Sequence, residues 1–180
     1  MRKSATRSTV AAAGFTALIA AGSYISIPIG PVPIVLQSFF ILLAGLLLPA
    51  RTALSAVAIY LLLGALGLPV FAGGTGGVGH FFGPTGGYLL SYLPAVALVS
   101  LLAGSLPRPA LREIAALCAG TVCIYPIGAV WLKWNTGMQW NVALSAGVLP
   151  FLPGDILKIA AALLVSRQFA GRIEQFLADE

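Results

Sequence analysis

The sequence predicts an all-α membrane protein, a bundle of six transmembrane helices, on three observations. Hydrophobic residues fill 59% of its 180 positions and charged residues only 8%, against about 25% charged in a soluble domain. Proline and glycine cut the apolar text into runs close to the ~17–25 residues that cross a hydrocarbon core of about 30 Å. Basic residues gather in alternate connections between those runs. A chain this apolar cannot cover a globule with polar groups. It is expected to form one integral membrane domain over 1–180, with no soluble appendage.

The elements follow from punctuation, because helices rarely pass proline and glycine pairs unbroken. The first span covers about 8–25 and stops before Pro28-Ile29-Gly30-Pro31-Val32-Pro33. The second, about 34–48, is short and ends at Pro49; the third runs over 51–67 toward Pro69. Next comes Phe71 to Tyr88, with eight glycines between Gly73 and Gly87. Glycine loosens helices, so this segment is expected to be irregular backbone held between spans, where a solute is gripped. The fourth span covers about 88–103, and Pro107 with Pro109 bounds the following connection. The fifth covers about 111–131, with a kink at Pro126. The last, about 154–169, follows Pro150 and Pro153 and trails into Arg172, Glu174, Asp179 and Glu180.

Six spans put both termini on one side. Arg2, Lys3, Arg7, Arg51, Arg108, Arg112, Arg167 and Arg172 all fall at the termini or in even-numbered loops, and Lys133 alone falls in an odd one. The positive-inside rule makes both termini cytoplasmic and the protein a multi-pass component of the cytoplasmic membrane. The net charge of +5 is therefore topology, and nucleic acid is not an expected partner. The glycine segment, the Pro28 to Pro33 turn and the stretch containing Trp131, Trp134 and Trp140 face outward, the tryptophans forming an interfacial belt against membrane lipid.

Arg2, Lys3 and Arg7 before an apolar run also resemble a secretory signal. Removing that run would leave five spans and spoil the charge asymmetry, so it is read as a true span. Ala13, Ala17 and Ala21 place a small residue every fourth position along one face of it. In lipid such a face lets another helix approach closely. Spacing alone leaves open whether that helix belongs to this bundle or to a partner.

Several chemistries are excluded. Cys118 and Cys123 do not stack on a helix face, and His80 is the sole histidine, so neither a disulfide nor a metal site is expected. Gly74-x-Gly76-x-x-Gly79 has the spacing of a dinucleotide fingerprint but lacks its strand, its helix and its acidic residue about 20 positions on. Gly79 is followed by His80 and Phe81, so no phosphate-binding loop for ATP is present. The acids before the tail are Glu113 and Asp155, which form no general acid and base pair, and no catalytic residue or cofactor is expected.

What remains is Pro153-Gly154-Asp155-Ile156-Leu157-Lys158. Asp155 and Lys158 are three apart, hence neighbours on one helix face. Charges at the centre of a span cost about 2.5–3.5 kcal/mol each, and polar groups kept at such depth usually face a cavity or each other. The alternative is a helix cap at Asp155 with Lys158 paired to it or reaching for the interface. Function is the preferred reading, because a cap needs no lysine.

Three motifs taken together carry a family resemblance. Gly30-Pro31-Val32-Pro33-Ile34 with Gln37, then Gly73-Gly74-Thr75-Gly76-Gly77-Val78-Gly79 running into Gly83-Pro84-Thr85-Gly86-Gly87-Tyr88, then Pro150-Phe151-Leu152-Pro153-Gly154-Asp155 with Lys158 resemble the BioY family, in order and over nearly the whole chain. BioY proteins are the biotin-binding S components of energy-coupling factor (ECF) vitamin transporters. The resemblance implies a six-helix bundle of the ECF S-component type whose outward pocket is closed by the first and third loops. It implies a transmembrane coupling subunit and ATP-binding subunits as partners. It also implies that Ala13, Ala17 and Ala21 dock on the coupling subunit. A self-sufficient homo-oligomeric biotin carrier, an S component for another vitamin and a purely structural membrane protein are the alternatives.

Biotin has an apolar bicyclic body, a cyclic urea with two N–H donors and one carbonyl, and an anionic valerate tail. Asp155 is expected to accept from the urea N–H groups, and Lys158 to meet the carboxylate or the urea oxygen. Backbone amides around Gly73, Gly74, Gly76 and Gly77 are expected to reach ligand oxygens. Phe71, Phe81, Phe82 and Tyr88 are expected to cover its apolar body, Gln37 to supply an amide, and Thr85 to join the site. His80 is expected at the water boundary.

Overall fold

The computed structural model describes residues 2–178, with side chains from residue 6 onward. The side chains of Arg2 and Lys3, and Asp179 and Glu180, lie outside the described residues. Eight helices and one two-stranded ladder follow in order: α1 (Arg2–Tyr24), β1 (Ser26–Ile27), β2 (Ile34–Val35), α2 (Gln37–Leu47), α3 (Ala50–Ala65), α4 (Gly79–Phe82), α5 (Gly86–Ala103), α6 (Ala110–Thr136), α7 (Trp140–Gly147) and α8 (Leu152–Ala178). Helices α1, α2, α3, α5, α6 and α8 overlap the six expected spans, with α1 beginning earlier, at Arg2, and α8 continuing to Ala178. Three further features depart from expectation. The Pro28 to Pro33 turn is closed by an antiparallel ladder pairing Ser26 with Val35 and Ile27 with Ile34. The glycine segment contains a helical turn, α4. Past Trp131, α6 continues to Thr136, and α7 adds a further short helix.

Packing makes α2 the axis of the bundle, against α1, α3, α5, α6 and α8. Its residues Ile41 to Leu47 are all buried, as expected of a helix that is apolar on every side. Close approach is set by two glycines that meet Val99 of α5: a Cβ on Gly45 of α2 would sit 2.7 Å from Val99 Cβ, and one on Gly120 of α6 would overlap Val99 Cγ2. Small residues at such crossings are how helices associate without a hydrophobic drive. The first helix is part of this core, since Ala12, Phe15, Thr16, Ile19 and Ser23 are buried and Thr16 Oγ1 donates to the Ala56 carbonyl of α3 at 2.9 Å.

Helices α5 and α6 are each long and apolar enough to cross a membrane, and α7 with α8 would add a third span as a pair bent by 40°. Helices α2 and α3 are apolar but shorter. At the α6 N-terminus Arg108 does not mark a solvated surface. It is buried against Glu113 at 2.9 Å, and donates to the carbonyls of Leu46 and Gly104 and to Ser166. One guanidinium thereby ties the ends of α2, α5 and α6 to α8.

Candidate functional site

At the opposite end from Arg108, the N-terminal parts of α2, α5 and α8 meet the C-terminal half of α6. The ladder loop and the glycine segment fold over them. Two adjoining cavities lie there, holding about 480 Å³ and 630 Å³ of space, part of it open. Val32, Pro33, Val35, Tyr88 and Tyr92 line both.

The first cavity contains the charge pair. Lys158 Nζ lies 3.1 Å from Asp155 Oδ1, with the two side chains only 10% and 13% exposed, and donates to Ser38 Oγ at 2.9 Å. Tyr125 donates its hydroxyl to Asp155 Oδ2. Of the alternative reading, the pairing of Lys158 with Asp155 is present, but both Asp155 oxygens accept from side chains rather than capping the helix, and the lysine turns inward instead of toward the interface. A charge pair at this depth needs every such bond, because partner removal leaves an uncompensated charge. Tyr92, Thr121 and Phe151 complete the wall.

The second cavity holds Gln37, Phe71, Thr85 and Tyr88 from the expected set, together with Ala72, Thr75 and His80. Gln37 is 2% exposed. Its Oε1 accepts from Tyr60 at 3.0 Å and its Nε2 donates to Tyr92 at 2.8 Å, which fixes the amide orientation. Tyr88 donates to the Gly147 carbonyl at 2.8 Å and stacks on Phe151, so α5, α7 and the start of α8 are held in register around the cavities. His80 is half-buried, lines the partly open cavity and has its ring 5.5 Å from that of Phe71.

The glycine segment works differently from expectation. The amides of Gly73, Gly74 and Gly77 donate to the carbonyls of Ser23, Phe71 and Gly64. Gly73, Gly74, Gly76 and Gly77 line neither cavity. Gly73 and Gly74 adopt φ of +70° and +73°, a conformation glycine alone enters freely, which turns the chain so that the buried Phe71 ring packs against Tyr60 and Phe81. Phe82 is 71% exposed and covers nothing. The segment is fastened on both flanks. Ser23 and Tyr24 of α1 donate to the carbonyls of Val70 and Pro69, and Trp131 and Asn135 of α6 donate to those of Gly83 and Phe82. Trp131 is therefore a clamp, leaving the exposed Trp134 and Trp140 for an interfacial belt.

Ala13, Ala17 and Ala21 line neither cavity and lie on the exposed face of α1, beside Val10 and Leu18. They do not pack into this bundle.

The family model for BioY matches residues 1–175. This chain belongs to the BioY family. Its BioY relatives include a probable biotin transporter BioY of Pyrococcus horikoshii, 43% identical over 87% of this chain and 92% of the relative. The biotin transporter BioY of Thermotoga maritima is 41% identical over 89% of this chain and 94% of the relative. A crystal structure of the S component for biotin from an ECF-type ABC transporter superposes with a TM-score of 0.87 at 30% identity, covering 94% of this chain and 93% of that one. The BioY fold thus accounts for the apolar helices, which are those of a membrane protein.

The residues missed from sequence were Ser38, Tyr60, Tyr92, Thr121 and Tyr125. Tyr92 alone carried a local signal, being four positions from Tyr88 on the same helical face. Ser38 comes from α2, Tyr60 from α3, and Thr121 and Tyr125 from α6.

Proposed function

We propose that this protein is the biotin-capturing S component of an ECF-type vitamin transporter, a single membrane domain over residues 1–180. In this reading α1, α2, α3, α5, α6 and α8 are the six spans. Both termini are cytoplasmic, so the cavities open outward from the cytoplasmic membrane. Arg7, Arg51, Arg112, Arg167 and Arg172 lie toward the ends of α1, α3, α6 and α8 away from the cavities, in support of that orientation.

The observation that carries the reading is the nearly enclosed pair of Asp155 and Lys158 in a cavity lined by aromatic and aliphatic side chains. Side by side, the pair offers one acceptor and one donor, and a cyclic urea presents an N–H beside a carbonyl. Asp155 already neutralises Lys158, so a ligand carboxylate placed there would leave a net negative site. The urea therefore belongs at Asp155 and Lys158, and the valerate tail extends into the second cavity toward Gln37, Thr75, His80 and Thr85. Relatives named as biotin transporters and the S component for biotin support the same ligand.

Capture at about nanomolar affinity is worth about 12 kcal/mol. With association near 10⁶ M⁻¹s⁻¹, release then proceeds at about 10⁻³ s⁻¹. An external source of work is needed, which favours a transmembrane coupling subunit and ATP-binding subunits over a self-sufficient carrier. Isothermal titration of the purified protein tests the substrate: biotin is expected to bind more tightly than riboflavin, thiamine or folate, and tighter binding of any of those three would sink this reading.

A further inference from the structure

Thr121 of α6 lines the first cavity, yet its hydroxyl has no hydrogen-bond partner among the described residues, and the oxygen is sealed from solvent. A threonine within a helix ordinarily bonds back to the carbonyl four residues earlier; Thr16, Ser55 and Thr136 in this chain do so. A hydroxyl left unpaired in the interior is costly, and in a native fold it calls for a reason. Thr121 sits one helical turn before Tyr125, whose hydroxyl is on Asp155. Helices α6 and α8 run in opposite directions, so Thr121 lies on the level of Lys158, one turn deeper than the Asp155 carboxylate.

We propose that Thr121 is a ligand-contact residue whose hydroxyl rotates about χ1 into the occupied cavity and donates a hydrogen bond to the carbonyl oxygen of the bound cyclic urea. The proposal rests on the reading of the site as a biotin site. A carbonyl oxygen has two lone pairs, and Lys158 supplies a donor to one of them. Thr121 supplies the second from the neighbouring helix. The unpaired hydroxyl is then a group held in readiness for the ligand, and the rotation needs only a change between staggered wells.

Titration calorimetry with biotin and with dethiobiotin, which keeps the urea and lacks the sulfur, tests this on wild-type protein, Thr121→Val and Thr121→Ser. Thr121→Val keeps the shape and removes the hydroxyl. It is expected to bind both ligands about three- to tenfold more weakly, while Thr121→Ser stays within about twofold of wild type. Thermal unfolding without ligand is expected to show Thr121→Val no less stable than wild type, since it loses only an unpaired hydroxyl. Unchanged affinity of Thr121→Val would overturn the proposal while leaving the biotin reading intact. A penalty seen with biotin and absent with dethiobiotin would move the contact to the thioether and overturn the urea assignment. Lower stability of the unliganded Thr121→Val protein would make the residue structural. Wild-type protein that fails to bind biotin would overturn the reading of function and the proposal together.

Discussion

Asp155 and Lys158 illustrate how a charge is made useful inside an apolar bundle. Each is nearly enclosed, and each has two hydrogen-bond partners, so neither is left as a bare ion. Each member is placed to hydrogen-bond the urea, and a hydrogen bond to a charged group is worth about 1.5–3 kcal/mol. Asp155→Asn and Lys158→Ala are therefore each expected to weaken biotin binding by about 30-fold or more in calorimetry. The protein is still expected to insert and purify. Wild-type affinity in both variants would return the pair to a purely structural role.

The glycine segment illustrates what a short element gains from its neighbours. Its own bonds close local turns, and it is tied to the bundle by Ser23 and Tyr24 on one flank and Trp131 and Asn135 on the other. Each hydrogen bond contributes about 0.5–1.5 kcal/mol net. Trp131→Phe combined with Asn135→Ala frees the α4 flank while keeping the packed ring. Biotin release measured by chase is expected to quicken about tenfold, and amides of residues 79–86 to exchange faster with deuterium. Release at the wild-type rate would mean that the ligand leaves elsewhere, past the ladder loop.

Two features act across the whole molecule. Arg108 and Glu113 join four helices at the end remote from the cavities, and they are 4% and 3% exposed. Arg108→Met strands the glutamate and is expected to cost about 3–5 kcal/mol in chemical denaturation, whereas Arg108→Met with Glu113→Leu recovers most of it. Equal loss in the single and double variants would show that the arginine's bonds to Leu46 and Gly104 dominate instead. The second feature is the exposed face of α1. Ala13→Trp with Ala17→Trp is expected to leave biotin affinity within about twofold, since those positions point away from the cavities. Uptake in cells containing the coupling and ATP-binding subunits is expected to fall sharply. Unimpaired uptake would remove α1 from the docking surface.

Much of this architecture was legible in the residues themselves. Apolar runs cut by Pro49, Gly67, Pro69, Pro107 and Pro109 placed the six main helices, because helix breaking is a local property of the backbone. Asp155 and Lys158 were legible as a pair, because three positions along a helix is one face, whatever packs against it. The family motifs added the ligand. Local rules failed where partners came from afar: Ser38 reaches Lys158 across 120 positions, and Gln37 is gripped by Tyr60 and Tyr92 across 23 and 55. Arg108 read as a topological charge until packing buried it, and the amides of Gly73, Gly74 and Gly77 read as ligand donors until the fold gave them carbonyls. Composition and spacing set which segments are expected to cross lipid, since that depends on each segment's own transfer free energy. Which polar atoms remain free for a ligand is settled by the packed helices, because hydrogen-bond satisfaction is a property of neighbours in space.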